Sequence, residues 1–276
     1  GDIGEVRFYK RTFTAADARD HYEGMYQQQC KISLSVTYPS AQAENLSMYY
    51  NADLRVRRLL PETILSMPFD LNITTDGRGM ITDYSRFLGH GTKTGAAWVA
   101  SGKVGGAYQF DGSGNRIELL SPLIKGTNDF TLSAWINPSS LSGTHCVIGT
   151  LNAINNSNGF IFGTSGTSPV FKIGDAAVSA NSTISANIWT HIAVARKDGV
   201  VNMYINGRPA GSATLADSIG GLSPLTIGST PGGALYSYQG KIDEVRAYSR
   251  GLTDAEIASV YNDAASVPSG ALPASK

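Results

Sequence analysis

GKIDEVRAYSRGLTDAEIASVYN, residues 240–262, decides the fold. Lys241 to Tyr248 reads as a strand, and the residues after it read as a short helix. Thr253 is a good N-cap and Glu256 follows three residues later, which makes a capping box. Ile257, Val260 and Tyr261 then recur at helical spacing, so one face of the helix is apolar. The same design occurs at the other end of the chain. Residues 1–22 read GDIGEVRFYKRTFTAADARDHY and align with 240–261 without gaps. Ten of the 22 positions are identical, among them Gly1 with Gly240, Glu5 with Glu244, Arg7 with Arg246, Tyr9 with Tyr248 and Thr14 with Thr253. A strand and helix used twice point to a repeated module. The second copy closes a long β-rich region. The first copy is expected to close a preceding module of the same kind.

Working outward from that closing segment, strand signals recur from about residue 67 to 250, with Gly, Ser, Asn and Pro between them. FTLSAWIN (130–137) alternates, with Leu132, Ala134 and Ile136 on one face. HIAVAR (191–196) alternates as well. VVNMYIN (200–206) runs into Asn206-Gly207, a hairpin-turn dipeptide. Many short strands with polar turns predict an all-β sandwich of two antiparallel sheets, interrupted by one short C-terminal helix. The expected organisation is the closing strand and helix of a preceding module over 1–24, a connector with some strand character over 25–66, a complete domain over 67–263 and a flexible tail over 264–276. In the connector, Arg55, Arg57 and Arg58 read as a solvated face.

Composition narrows the function. Hydrophobic residues are 42% of the 276, enough for a sizeable core, while charged residues are only 16%. Lys plus Arg and Asp plus Glu number 22 each, so there is no basic excess to displace counterions from a nucleic acid. No apolar run approaches the roughly 18 residues of a membrane span. Cys30 and Cys146 leave two readings open, a single bridge or two buried thiols. Asn45, Asn72, Asn155 and Asn181 stand in Asn-x-Ser/Thr sequons, in accord with secretion.

The segments GKVGGAYQFDG (102–112), DFTLSAWINP (129–138), WTHIAVARKDGVVNMYINGRPAGS (189–212), LTIGS (225–229) and the closing 240–262 stand in the order of a known family. Residues 67–262 resemble the laminin-G-like, concanavalin A-like jelly-roll domains, close to the pentraxin type. The resemblance implies a two-sheet antiparallel jelly roll with its terminal strands side by side. It also implies a calcium ion where an early loop meets the closing strand. TDYSRFLGHGT (82–92) matches that loop, so Asp83 and Asp243 are the implied ligands, although Arg86-Phe87-Leu88 replaces the family's usual Gly/Asn stretch. Ca²⁺ takes six to eight oxygens, so two carboxylates would need carbonyls and water beside them. The competing reading is that Asp83 caps a turn. Gly4 of the first copy stands where the second has Asp243.

Other candidates follow from residue type. A glycoside hydrolase or lyase needs paired carboxylates about 5–9 Å apart. The nearest approach to the superfamily's acidic run is Asp243-Glu244, adjacent residues of a strand that should face opposite ways. Glu244 and Arg246 read as a structural ion pair, and Asp111 as a turn former. A glycan site needs an aromatic platform beside amides. Tyr236 and Tyr238 in STPGGALYSYQ (229–239), with Asn156 and Asn158 in LNAINNSNG (151–159), are the expected ligand-binding residues. Trp98, Trp135 and Trp189 read as packing. The leading expectation is a non-catalytic extracellular carbohydrate-binding, lectin-like or adhesion module of a multimodular protein. Its partners would be glycans or cell-surface and matrix components. The alternative is a structural subunit of a surface filament, fibre or virion that lends its first strand to copies of itself. An enzyme ranks last.

Overall fold

The computed structural model describes residues 60–265, apart from 61, 71, 73–79, 86, 88, 120–122, 152–158, 221–222 and 234. The first repeat copy, most of the connector, Cys30 and the tail from 266 lie outside the described residues.

The strands are β1 Thr63–Met67, β2 Met80–Ile81, β3 Gly91–Thr94, β4 Ala97–Val99, β5 Ala107–Asp111, β6 Arg116–Leu119, β7 Phe130–Pro138 and β8 Thr144–Gly149. They continue with β9 Phe160–Ser165, β10 Ser168–Ile173, β11 Ala176–Ser179, β12 Thr190–Lys197, β13 Val200–Ile205, β14 Arg208–Thr214, β15 Thr226–Ile227 and β16 Gln239–Tyr248. The helix α1, Asp254–Ala265, follows. The first sheet runs β14-β13-β12-β7-β16-β5-β4, with β1 also paired to β16. The second runs β11-β10-β9-β8-β15-β6-β3-β2. The strands pair antiparallel throughout the described residues, and the two sheets form the expected jelly-roll sandwich. β1 lies at the end of the expected connector, so the domain's sheet reaches back to Thr63.

Alternation fills the space between the sheets. Leu132, Ala134 and Ile136 of β7, Ile192 and Val194 of β12, and Val201 and Met203 of β13 all enter one core. From the second sheet come Val147, Ile148, Phe160, Phe162 and Phe171. Phe130 lies against Phe160 and Phe171 at ring distances of 6.4 and 5.5 Å. The β13–β14 hairpin turns through Asn206 and Gly207, at φ 49° and 75°, the two left-handed residues that a tight primed turn requires. Gly207 is needed twice, because a Cβ there would lie 3.0 Å from the Tyr261 ring.

The closing strand breaks the period of two. The ladder between β16 and β7 shifts between Asp243 and Arg246, and Glu244 has φ 52°. This is a bulge, which adds one residue to one strand and resets the alternation. Ile242, Val245 and Ala247 therefore face the core. Asp243, Glu244 and Arg246 leave it for the outer face, where α1 lies. Arg246 donates to Glu244 at 3.3 Å and to Asp263 of α1 at 3.1 Å. Burial lowers the proton affinity of this guanidinium, and Tyr248 and Asp263 beside it more than offset that, so it is raised above the ordinary arginine value. Around these charges, Ala193, Ala195, Tyr204, Tyr248, Leu252, Ile257 and Val260 form a second apolar cluster between sheet and helix. The capping box is formed, with Thr253 N–H donating to Glu256 at 2.9 Å and Glu256 N–H to the Thr253 hydroxyl at 3.4 Å. Tyr204 donates its hydroxyl to Asp254 at 2.8 Å, tying the helix start to β13.

Arg246→Ala takes the guanidinium away from the buried Glu244 carboxylate and cuts the tie to α1. It is expected to cost about 3–5 kcal/mol of unfolding free energy in urea titration. Thr253→Ala, which removes one exposed cap, is expected to cost about 1 kcal/mol.

Candidate functional site

A cleft of about 460 Å³ opens on the outer face of the first sheet, beside the end of α1. It is lined by Lys103, Trp135, Asn137, Asn187, Ile188, Trp189, Asn206, Tyr261 and Ala265. Alternation supplies the walls. Because Leu132, Ala134 and Ile136 of β7 point inward, Trp135 and Asn137 point outward. Because Ile192 and Val194 point inward, His191 and Trp189 share the outer face. The hairpin turn adds Asn206, and the last helical turns add Tyr261. Trp135 and Tyr261 stack at 5.4 Å with an interplanar angle of 21°. The His191 ring packs against both, at 5.6 and 5.8 Å. Trp135 is buried, whereas Trp189 and Tyr261 are half-buried and Ile188 is 57% exposed at the lip.

Three amides ring the aromatic surface. Asn206 accepts the His191 N–H on its Oδ1 at 3.0 Å, so its NH₂ end is left to donate. Asn187 is held at φ 60° by its own N–H, which donates to the Pro138 carbonyl at 2.7 Å. Lys103 closes the inner end. Its ammonium sits 5.1 Å from the centre of the Trp135 ring and donates to the Ala265 carbonyl at 3.3 Å. Burial lowers its proton affinity and the nearby Asp243 carboxylate raises it in part. Asp243 also positions the segment that carries Lys103, by accepting the Val104 N–H at 3.0 Å. Gly102 allows that approach, since a Cβ there would lie 2.9 Å from the carboxylate.

The residues expected from sequence fare differently. Tyr238 is 0% exposed and lies in the main core, 6.3 Å from Phe110, with its hydroxyl on the Lys241 carbonyl at 3.3 Å. It offers no face to a ligand. Tyr236 is half-buried at φ 54° and packs on Cys146, Leu151 and Ile161 of the second sheet, away from the cleft. Asn156 and Asn158 lie outside the described residues. The Cys146 thiol is free and fully buried, and burial pushes its pKa up. Asp111 accepts the Ser113 N–H at 2.8 Å, as a turn former should.

The donor sets around Asp83 and Asp243 do not fit a calcium ion. Asp83 accepts the N–H groups of Ser66, Ser85 and Gly89, each at 2.8 Å, and the Ser85 hydroxyl at 2.7 Å. Four donors aimed at one carboxylate are an anion's surroundings, and they tie Asp83, Ser85 and Gly89 together beside Ser66 of β1. Asp243 accepts N–H groups from Val104 and Glu244 and faces the Lys103 ammonium. Among the described residues, no three His, Cys, Asp or Glu side chains converge as a metal-binding group.

The fold is thus an antiparallel sandwich with an aromatic and amide cleft on the outer face of one sheet. Residues 111–258 match the family model described as the concanavalin A-like lectin/glucanases superfamily, and the chain belongs to that superfamily. The adhesion G-protein coupled receptor V1 of Danio rerio is 27% identical over 169 residues, which are 53% of this chain; the match spans 2% of the receptor's length. Domain 4 of AbnA, a GH43 extracellular arabinanase from Geobacillus stearothermophilus, superposes with a TM-score of 0.58 at 21% identity, over 72% of this chain and 98% of that one. The binding domain of Paraclostridial Mosquitocidal Protein 1 gives 0.55 at 19% identity, over 73% and 52%. The chain thus shares its fold with domains of binding function.

His191 is 1% exposed beneath the cleft, and its Nδ1 has no hydrogen-bond partner. Burial, aided by the Arg246 charge, lowers its pKa to about 3. The unfolded chain binds this proton near pH 6.5, so the folded state holds fewer protons between about 6.5 and 3. The stability due to neutral His191 is full above 6.5 and is lost as the pH falls toward 3. Unfolding free energy is expected to decline from pH 6.5 to 5, and His191→Gln to flatten that decline. Glu256, held to about 2 by Arg250 and the Thr253 N–H, adds its own loss only below about 4.5.

Proposed function

We propose that the chain is a non-catalytic carbohydrate-binding module, displayed outside the cell as part of a larger protein, and that the Trp135–Trp189–Tyr261 cleft is its ligand site. The observation that carries the reading is the composition of that cleft. Aromatic faces stack on the C–H face of a sugar ring, and amides hydrogen-bond its hydroxyls. Its volume falls in the range of small-ligand pockets, roughly 300–1,000 Å³. The acids near it serve structure, since Glu244 pairs with Arg246 and Asp243 holds the 102–104 segment. Glycosidic cleavage asks for two carboxyls across a scissile bond, and the described residues lining the cleft include none.

The relatives lend support of a general kind. The arabinanase domain is seen in complex with arabinotriose and comes from an extracellular enzyme. The receptor that matches in sequence is an adhesion receptor. Both accord with a module that attaches a larger protein to a surface or a glycan.

Trp189 is half-buried at the cleft mouth, so truncating it removes stacking area at little cost to the core. Trp189→Ala is expected to weaken binding on a glycan array at least about tenfold, the size of a central aromatic anchor. Tyr236→Ala, on the opposite sheet, is expected to leave binding within about twofold of the parent, well under 1.4 kcal/mol. Equal losses in both variants, or loss only in Tyr236→Ala, would return the site to the 229–239 loop.

A further inference from the structure

Building on the carbohydrate reading, we propose that the Trp135–Trp189–Tyr261 cleft selects an uncharged oligosaccharide and binds it without a metal ion. The charge inventory of the lining carries the argument. Lys103 is the one charged side chain among the described lining residues, and no carboxylate joins it there.

A cationic ligand is the first alternative, because aromatic walls attract ammonium groups. Here the Trp135 ring already carries the Lys103 ammonium at 5.1 Å. A second cation would compete with that ammonium for the same ring, and no described lining residue is an acid that could hold it. An anionic sugar is the second alternative. It would need a cation it can reach, and Lys103 is only 7% exposed, with its ammonium committed to the Ala265 carbonyl, the Trp135 face and the field of Asp243. A uronate or sulfate entering the cleft would lose water and gain no direct ion pair, a net cost.

An uncharged sugar meets neither obstacle. Each of Asn137, Asn187 and Asn206 carries both a donor and an acceptor in its amide, which matches hydroxyls that are both donor and acceptor. Ile188 and Trp189 at the mouth extend the apolar surface for a second ring. A bridging calcium ion requires several oxygen ligands, carboxylates among them. Asp243, the acid of the closing strand, is turned instead to the N–H groups of Val104 and Glu244 and to Lys103.

The test is a panel of immobilised glycans probed with the whole chain. It pairs neutral pentose and hexose oligosaccharides with their uronate, sialylated and sulfated counterparts, and it includes choline as the cationic probe. Each is measured in calcium and in EDTA, at low and at high salt, for the parent and for Trp189→Ala, whose fold is checked by its thermal melt. The expected result is binding of a neutral glycan at least about tenfold tighter than its charged counterpart. That binding should be unchanged by EDTA and by salt and be lost in Trp189→Ala. Trp189-dependent binding that favours an acidic glycan and weakens with salt overturns the proposal and leaves the carbohydrate reading standing. The same holds for Trp189-dependent binding that needs calcium. Capture of choline in preference to every sugar overturns both the proposal and that reading, as does a panel with no glycan bound.

Discussion

The structure turns on one extra residue in the closing strand. In an unbroken strand every second residue returns to the same face, so Ile242 pointing inward would carry the charged Glu244 into the core with it. The bulge at Asp243–Glu244 prevents this. It sends Val245 and Ala247 into the core and places Asp243, Glu244 and Arg246 on the outer face. Two consequences radiate from it. Arg246 reaches Glu244 and Asp263 and fixes where α1 lies across the sheet. Asp243 reaches Val104 and fixes the segment that brings Lys103 under Trp135. Both walls of the cleft, the helix end and the 102–104 segment, are therefore set from the same bulge.

Energy and specificity are divided between different groups. Burial of Tyr204, Tyr248, Leu252, Ile257 and Val260 between sheet and helix supplies the stabilisation, at about 25 cal/mol per Å² of apolar surface. The Glu244–Arg246 pair contributes little net energy by itself, because two buried charges give up their hydration to meet. The link to α1 is the second bond of the same guanidinium, to Asp263 of the helix at 3.1 Å. A helix docked this way presents Tyr261 to Trp135 with the two rings near parallel, and the cleft inherits that precision.

Much of the fold was readable because alternation and turn chemistry are local. FTLSAWIN and HIAVAR showed which residues face the core, Asn206-Gly207 showed the hairpin, and Thr253 with Glu256 showed the helix start. The same alternation contained the cleft. If Leu132, Ala134 and Ile136 face inward, Trp135 and Asn137 face outward, and Trp135 is buried there by packing against Tyr261 and His191, as its assignment to packing expects. What the sequence could not show was that a strand 54 residues further on and a helix end 126 residues further on converge beside Trp135, since that depends on the sheet order and the bulge. Tyr238 misled for the opposite reason. Its loop is rich in Gly and Ser, a composition of exposed turns, yet Tyr238 itself is already at the edge of β16 and turns into the core. At Asp83 the turn-capping reading matches the contacts, since its carboxylate accepts four hydrogen bonds from its own loop and from β1.

If ligand meets the outer face of the first sheet, the three tryptophans report it directly. Their indole N–H resonances are followed while a bound glycan is titrated into the ¹⁵N-labelled chain. Trp189 is expected to shift progressively with ligand, while Trp98, on the edge strand β4 with its indole donating to the Phe69 carbonyl at 2.8 Å, stays in place. A shift confined to Trp98, or saturation of binding with all three indoles unmoved, would contradict binding at that face.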